Sequence, residues 1–145
     1  MDSRKTRYFI LVGDIETWKV SLDHNIWGFS ERSKGYWNTA NIGDHLAFYV
    51  TSPVKKVIGF GRITSKFVDD SIIFPDERIF GKAMWLYKLG FIKLHAIENW
   101  DIGITVPSNI MLNVGRKVID ERIFLQLVVK AEQKWNHKIM NGTQT

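Results

Sequence analysis

The residues that could carry chemistry are few and scattered. The four histidines, His24, His45, His95 and His137, stand far apart, and none has another at the i+3 or i+4 spacing that puts two ligands on one helix face. A metal site built from them would need long-range assembly. The chain has no cysteine, which excludes disulfides, thiolate zinc sites, iron–sulfur clusters and cysteine nucleophiles together. Gly59-Phe60-Gly61 lacks the third glycine and the following helix of a phosphate-binding loop, and neither G-x-x-x-x-G-K-S/T nor G-x-S-x-G occurs. The acidic pairs Asp69-Asp70 and Asp76-Glu77 have no partner base or metal signature and read as solvated turns. No catalytic residue, metal or cofactor is nominated. What remains is aromatic: six Trp, four Tyr and nine Phe. Most must fill a core, since aromatic rings bury large areas. So many tryptophans in a small chain still leave some to line a pocket. The pattern points to a binding module rather than an enzyme.

The elements that would position these rings can be read along the chain. Tyr8–Val12 is a short apolar run ended by Gly13-Asp14 and reads as a buried strand. Asp14 can cap a helix over Glu16–His24, with Trp18 and Leu22 on one face. Asn25–Phe29, an apolar pair straddling Gly28, reads as a tight loop with close backbone approach. Glu31–Asn38 is polar and reads as a loop or a short helical turn. His45–Val50 is a second apolar run, and Lys56–Val68 a long strand whose Gly59 and Gly61 indicate a bulge, strong curvature or a ligand against the backbone. Ile72–Gly81 reads as irregular because Pro75 forbids a central strand. Met84–Ile97 is the third long strand candidate and Asn99–Ser108 a loop. The last helix is clearest: Asp120 as cap, then Ile123, Phe124, Leu127, Val128, Ala131 and Trp135 on one core-facing stripe. Successive strands without helical crossovers argue against a single parallel layer. An α+β fold is expected, a curved mixed sheet or small barrel flanked by helices.

The 145 residues fit one domain, with its core over about residues 7–136. At 45% hydrophobic and 24% charged the chain is too apolar for disorder. No apolar run approaches the ~20 residues of a membrane span, and the polar start carries no signal-like stretch, so no membrane association and a cytoplasmic location are expected. Lys plus Arg is 20 against 15 Asp plus Glu, a net charge of +5. That permits a nucleic-acid partner without demanding one. The charges are spread evenly, so any positive patch must be assembled by folding.

Four segments then stand in a telling order. They are Arg7-Tyr8-Phe9-Ile10-Leu11-Val12-Gly13-Asp14; Asn25-Ile26-Trp27-Gly28; Gly43-Asp44-His45-Leu46-Ala47-Phe48-Tyr49-Val50 with Gly59-Phe60-Gly61-Arg62; and Val114-Gly115-Arg116. Together they resemble the EVE domain, a member of the PUA-like superfamily related to YTH domains. The match runs over roughly residues 7–136 and looks like the small stand-alone archaeal and bacterial members. The resemblance implies a PUA-like curved sheet and an aromatic pocket that takes one flipped base of DNA or RNA, often a modified one. The partner is then a nucleic acid with a modified base, or a nucleoside-like small molecule in the same pocket. An enzyme acting on RNA or a nucleotide is the third reading.

The physics fits such a pocket. A base taken from its stack needs its stacking replaced, and one aromatic contact supplies about 1–3 kcal/mol. The resemblance implies Trp27 as one wall, with Gly28 letting the backbone reach the base edge. Asp14 matches a position where YTH relatives carry an Asn that touches the base; it can accept from an exocyclic amine, or it can be a plain helix cap. Trp18 stands near another polar floor position of those relatives and either closes the pocket or packs. The second wall falls to Phe74, with Trp85 as its rival in a segment that reads as strand core, and Phe29 can flank the pocket. Arg116 matches a phosphate-contacting position, with Arg32, Lys34 and Arg62 as neighbouring cations.

Overall fold

A computed structural model describes residues 6–112 and 115–140. Val114 of the Val114-Gly115-Arg116 step and the polar start Met1–Lys5 lie outside the described residues. The run Tyr8–Val12 becomes β1 (Tyr8–Gly13). Phe9 and Leu11 enter one core and Ile10 and Val12 another, because side chains alternate across a strand and both faces are covered. That double burial is why β1 reads as a continuous apolar run.

Asp14 caps α1 (Ile15–His24), its Oδ1 accepting from Thr17 N at 2.8 Å. Then follow β2 (Ile26–Phe29), α2 (Lys34–Thr39), β3 (His45–Val50), β4 (Lys56–Val68), α3 (Pro75–Phe80) and β5 (Tyr87–Ala96). A single 3-10 turn at Trp100–Ile102, β6 (Gly115–Ile119) and α4 (Glu121–Trp135) complete the order. The strands form one six-stranded sheet, β2-β5-β4-β3-β1-β6. β1 and β3 run parallel and the other neighbours antiparallel, so the sheet is mixed. Register shifts at Phe48/Tyr49, Phe60/Gly61 and Ile63/Ser65 bend it. A Cβ on Gly59 would stand 2.7 Å from His95 O and one on Gly61 2.6 Å from Ile92 O. The close approach that those glycines permit is therefore by β5, not by a ligand. α4 lays Phe124, Leu127, Val128 and Ala131 on one sheet face. Its cap is Asp120, accepting from Ile123 N at 2.8 Å, and its Trp135 indole donates to Ile102 O at 2.8 Å. The expected α+β fold, a curved mixed sheet flanked by helices, is the one observed.

Several expectations need correction. Asn25–Phe29 is not a loop: Ile26–Phe29 is β2, paired with Gly90–Tyr87 of β5. A strand this short carries no readable period, and Gly28 disguises it. Ile72–Gly81 is not irregular throughout. Pro75 sits at the first position of α3, where its missing N–H costs nothing, and Gly81 closes the helix at φ +63°. Met84 and Trp85 are not strand core, since their backbone N–H groups go to the Glu77 carboxylate rather than to a ladder. Gly115 and Arg116, part of the apolar-Gly-Arg step, open a strand that the sequence does not announce: Gly115–Ile119, β6, pairs with β1. Of the two readings of Glu31–Asn38, a short helical turn is the one found, as α2.

Candidate functional site

β4 and β5 are joined by an excursion from Asp69 to Leu86, closed at its base by Asp69 N donating to Leu86 O at 2.9 Å. Two buried charges hold its shape. Lys88 of β5 is fully buried, and its Nζ donates to Asp69 Oδ2 at 2.7 Å and Asp69 O at 2.9 Å. The hydrogen bond from Lys88 lowers the Asp69 pKa below its ordinary value. Glu77 is 0% exposed. Its Oε1 accepts from Ile73 N (3.2 Å) and Phe74 N (3.1 Å), and its Oε2 from Met84 N (2.8 Å) and Trp85 N (3.0 Å). Burial is the largest single influence and would raise its pKa; the backbone donors together outweigh it and hold the carboxyl below its ordinary value. One carboxylate thus ties both ends of the excursion and fixes Phe74 and Trp85 relative to each other.

Those two side chains face β2 across a cleft of about 360 Å³ beside the C-terminal end of β1. That volume lies in the range of small-molecule pockets. Gly28 is what lets the walls approach: a Cβ there would stand 2.7 Å from Trp85 Cβ and 3.2 Å from Phe74 Cε2. The rings of Trp27, Phe29, Tyr36, Phe74 and Trp85 line the cleft. Asp14, Thr17, Ser30, Arg32, Ser33 and Asp76 give it polar groups. Trp85 is oriented by its indole N–H, which reaches the Asp76 oxygens at 2.9 and 3.0 Å.

The nominated residues divide clearly. Trp27, Gly28, Phe29, Asp14, Phe74 and Arg32 are brought together at the cleft. Trp27 is its floor rather than a free wall: it is 4% exposed and packs on Trp18 with ring centroids 4.6 Å apart. Its buried indole N–H has no hydrogen-bond partner among the described residues. Asp14 is a helix cap and a cleft residue at once, and its Oδ2 takes no hydrogen bond among the described residues. Trp18 does not line the cleft. It is fully buried beneath Trp27, its indole donating to Tyr49 O at 2.7 Å, so of its two readings packing is the one found.

Three nominated cations stand elsewhere. Lys34 lies over the Tyr87 ring at 4.9 Å. Arg62 stands opposite His45, which stacks on Tyr8 and packs at a tilt against Phe124 on the face covered by α4. Arg116 is held between the rings of Phe9 (4.5 Å) and Tyr36 (4.7 Å), and donates to Tyr36 O at 3.2 Å and Thr39 Oγ1 at 2.8 Å. Burial lowers its pKa. Arg116 therefore positions Tyr36 at the rim.

Sequence reasoning missed Tyr36 altogether and ranked Trp85 second. The signal for Tyr36 lay in α2, whose polar composition hid its ring. A broader, shallower depression of about 920 Å³ runs along β5 and Trp100, and none of the nominated residues lines it. Among the described residues no group of His, Asp and Glu could hold a metal, and no helix is long and apolar enough to cross a membrane.

The whole arrangement is similar to known folds. The YTH domain of Mmi1 in an RNA complex matches with a TM-score of 0.60 and 11% identity, over 92% of this chain and 88% of that one. The ZmASCH protein of Zymomonas mobilis, in a mutant form, matches with a TM-score of 0.54 and 11% identity, over 84% of this chain and 96% of that one. The fold is thus that of YTH and ASCH domains, the PUA-like fold. The UPF0310 protein PH1033 of Pyrococcus horikoshii is 31% identical over 91 residues, 57% of this chain and 62% of that protein's length. No protein-family model matches the chain.

Proposed function

We propose that this protein is a non-enzymatic nucleic-acid-binding module whose aromatic cleft accommodates one flipped, modified base of DNA or RNA. The observation that carries the reading is the cleft itself, in which part-exposed Trp85 and Tyr36 stand over a floor of Trp27 and Phe29. Rings so disposed can replace the stacking that a flipped base gives up. The polar groups suit a base edge. The Asp14 carboxylate can accept from an exocyclic amine through the oxygen that its cap bond leaves free. A methyl group adds apolar area against the rings, about 0.8 kcal/mol, or roughly a fourfold preference. The Mmi1 relative of this fold is in complex with RNA, which supports an RNA partner here. The EVE assignment belongs to the same proposal and rests on the motifs Asn25-Ile26-Trp27-Gly28 and Gly43–Val50.

At the cleft the Asp76 carboxylate is engaged by the Trp85 indole and one Asp14 oxygen by Thr17 N, and among the described residues no histidine lines it to serve as a base. That favours binding over turnover. The modest net charge of +5 favours, as the second reading, a free nucleoside-like ligand.

Tryptophan fluorescence titration separates these. The panel holds unmodified, N6-methyladenine, 5-methylcytosine and 5-hydroxymethylcytosine oligonucleotides, as DNA and RNA, beside the free nucleosides. Salt-sensitive binding of one modified oligonucleotide, tighter than its nucleoside, is the expected result. Equal affinity for the nucleoside transfers the cleft to the small-molecule reading, and consumption of any ligand to an enzyme. Arg32 is the exposed cation at the mouth. Arg32→Ala should weaken all single strands alike and make the slope of log K against log salt shallower by about 0.7, because one phosphate contact is lost. An unchanged slope would remove Arg32 from the interface.

A further inference from the structure

The cleft has a neighbour that its own chemistry does not use. α3 turns Glu77 inward and Asp76 to the cleft, and leaves its last residues in solvent: Ile79 is 79% and Phe80 70% exposed. Two large apolar side chains this exposed on a six-residue helix contribute almost nothing to the fold. They are bracketed by the exposed cations Arg78 and Lys82. The acidic residues of the same helix are both engaged, Asp76 by the Trp85 indole and Glu77 by backbone N–H groups. The solvent face of Arg78–Lys82 is thus cationic and apolar, a composition complementary to a polyanion that carries flat rings. Its place is also specific. Phe80 follows Asp76 by four residues, which sets the two on one side of the helix about 5–6 Å apart. Asp76 lines the cleft, so Phe80 stands one helical turn beyond it, where a nucleotide adjoining the one in the cleft would lie.

We propose that Arg78–Lys82 is a second nucleic-acid contact, in which Phe80 stacks on the base next to the one in the cleft and Arg78 and Lys82 take the flanking phosphates. The inference rests on the nucleic-acid reading of the cleft and extends it from one base to a strand. It gives the protein a means of preferring a polynucleotide over the same base free in solution.

Titrations of wild type, Phe80→Ala, Trp85→Ala and the Arg78→Ala/Lys82→Ala double variant with the oligonucleotide panel and the free nucleosides test it. Phe80 is largely exposed, so Phe80→Ala should melt like wild type. It should lose about 5- to 150-fold in oligonucleotide affinity, one base stack, with nucleoside affinity unchanged. The double variant should flatten the salt slope for single strands by about 1.4, two phosphates at 0.7 each. Wild-type oligonucleotide affinity in Phe80→Ala, alongside loss in Trp85→Ala, overturns this inference and leaves the cleft reading standing. No oligonucleotide binding by wild type ends both. Self-association of wild type that Phe80→Ala abolishes without changing oligonucleotide affinity gives the patch to a second copy of the chain and also overturns the proposal.

Discussion

Trp85→Ala is expected to weaken binding of the preferred oligonucleotide by about 5- to 150-fold, the loss of one base–aromatic stack, while the protein stays folded. Trp85 is half-buried and belongs to neither the sheet nor a helix. Its ring is held in place by the Asp76 carboxylate, and its backbone by Glu77. Removing the ring therefore opens one wall of the cleft without taking a side chain from the core. Trp27→Ala is a poorer test, although Trp27 is the more conspicuous residue in the sequence. At 4% exposure it is packed on Trp18, which in turn packs on Phe48. Its truncation should cost about 3–5 kcal/mol of stability, so lost binding would report lost structure. Trp85→Phe keeps a ring but not the bond to Asp76, and should fall between wild type and alanine. Titration of the three proteins, each with a thermal melt, decides the matter. A Trp85→Ala protein that binds as wild type does would exclude the ring from the site.

Glu77→Gln should lower stability at neutral pH by about 2–5 kcal/mol and weaken binding in the molecules that remain folded. The substitution is nearly isosteric, but it turns one acceptor into an NH2 group facing backbone donors. Whichever way the amide is set, either Ile73 N and Phe74 N or Met84 N and Trp85 N lose their partner. Binding suffers because those are the tethers of the Phe74 and Trp85 walls. The acid limb of stability should change as well. The Glu77 carboxyl titrates below its ordinary 4.5 in the folded state. Over that interval the unfolded chain binds more protons, so stability rises with pH. The contribution is complete above about the unfolded value and is lost as pH falls through the folded one. Glu77→Gln has no such group and should show a flatter acid limb. Urea unfolding at neutral pH and at several values below 4.5 measures both effects. A variant as stable as wild type at pH 7, with the same acid limb, would show that the carboxylate does not hold the excursion.

Much of the frame was legible because it is written in local patterns. β1 and β3 announce themselves as apolar runs, since sheet and helices cover both their faces. Asp14 and Asp120 are recognisable as caps because a cap needs only its own side chain and an N–H three residues on. The stripe from Ile123 to Trp135 makes α4 plain, because helix period and burial coincide there. The hidden elements were those whose identity depends on a distant partner. β2 is a strand only because β5 lies beside it, β6 only because β1 does, and α3 is stable because Glu77 collects N–H groups from both ends of the excursion.

The sequence by itself determined the type of this protein: an α+β fold with a curved mixed sheet flanked by helices, rich in rings and poor in catalytic groups. Which rings meet a ligand was decided only by the tertiary structure. A tryptophan has the same chemistry as floor, wall or core. Trp18, Trp27 and Trp85 differ in how much water reaches them, and that is set by β2–β5 pairing and by the absence of a side chain on Gly28. The cations follow the same rule. Arg32, in the turn after β2, stands at the cleft mouth, whereas strand alternation and register enclose Arg116 of β6 between Phe9 and Tyr36 and send Arg62 of β4 to the α4 face.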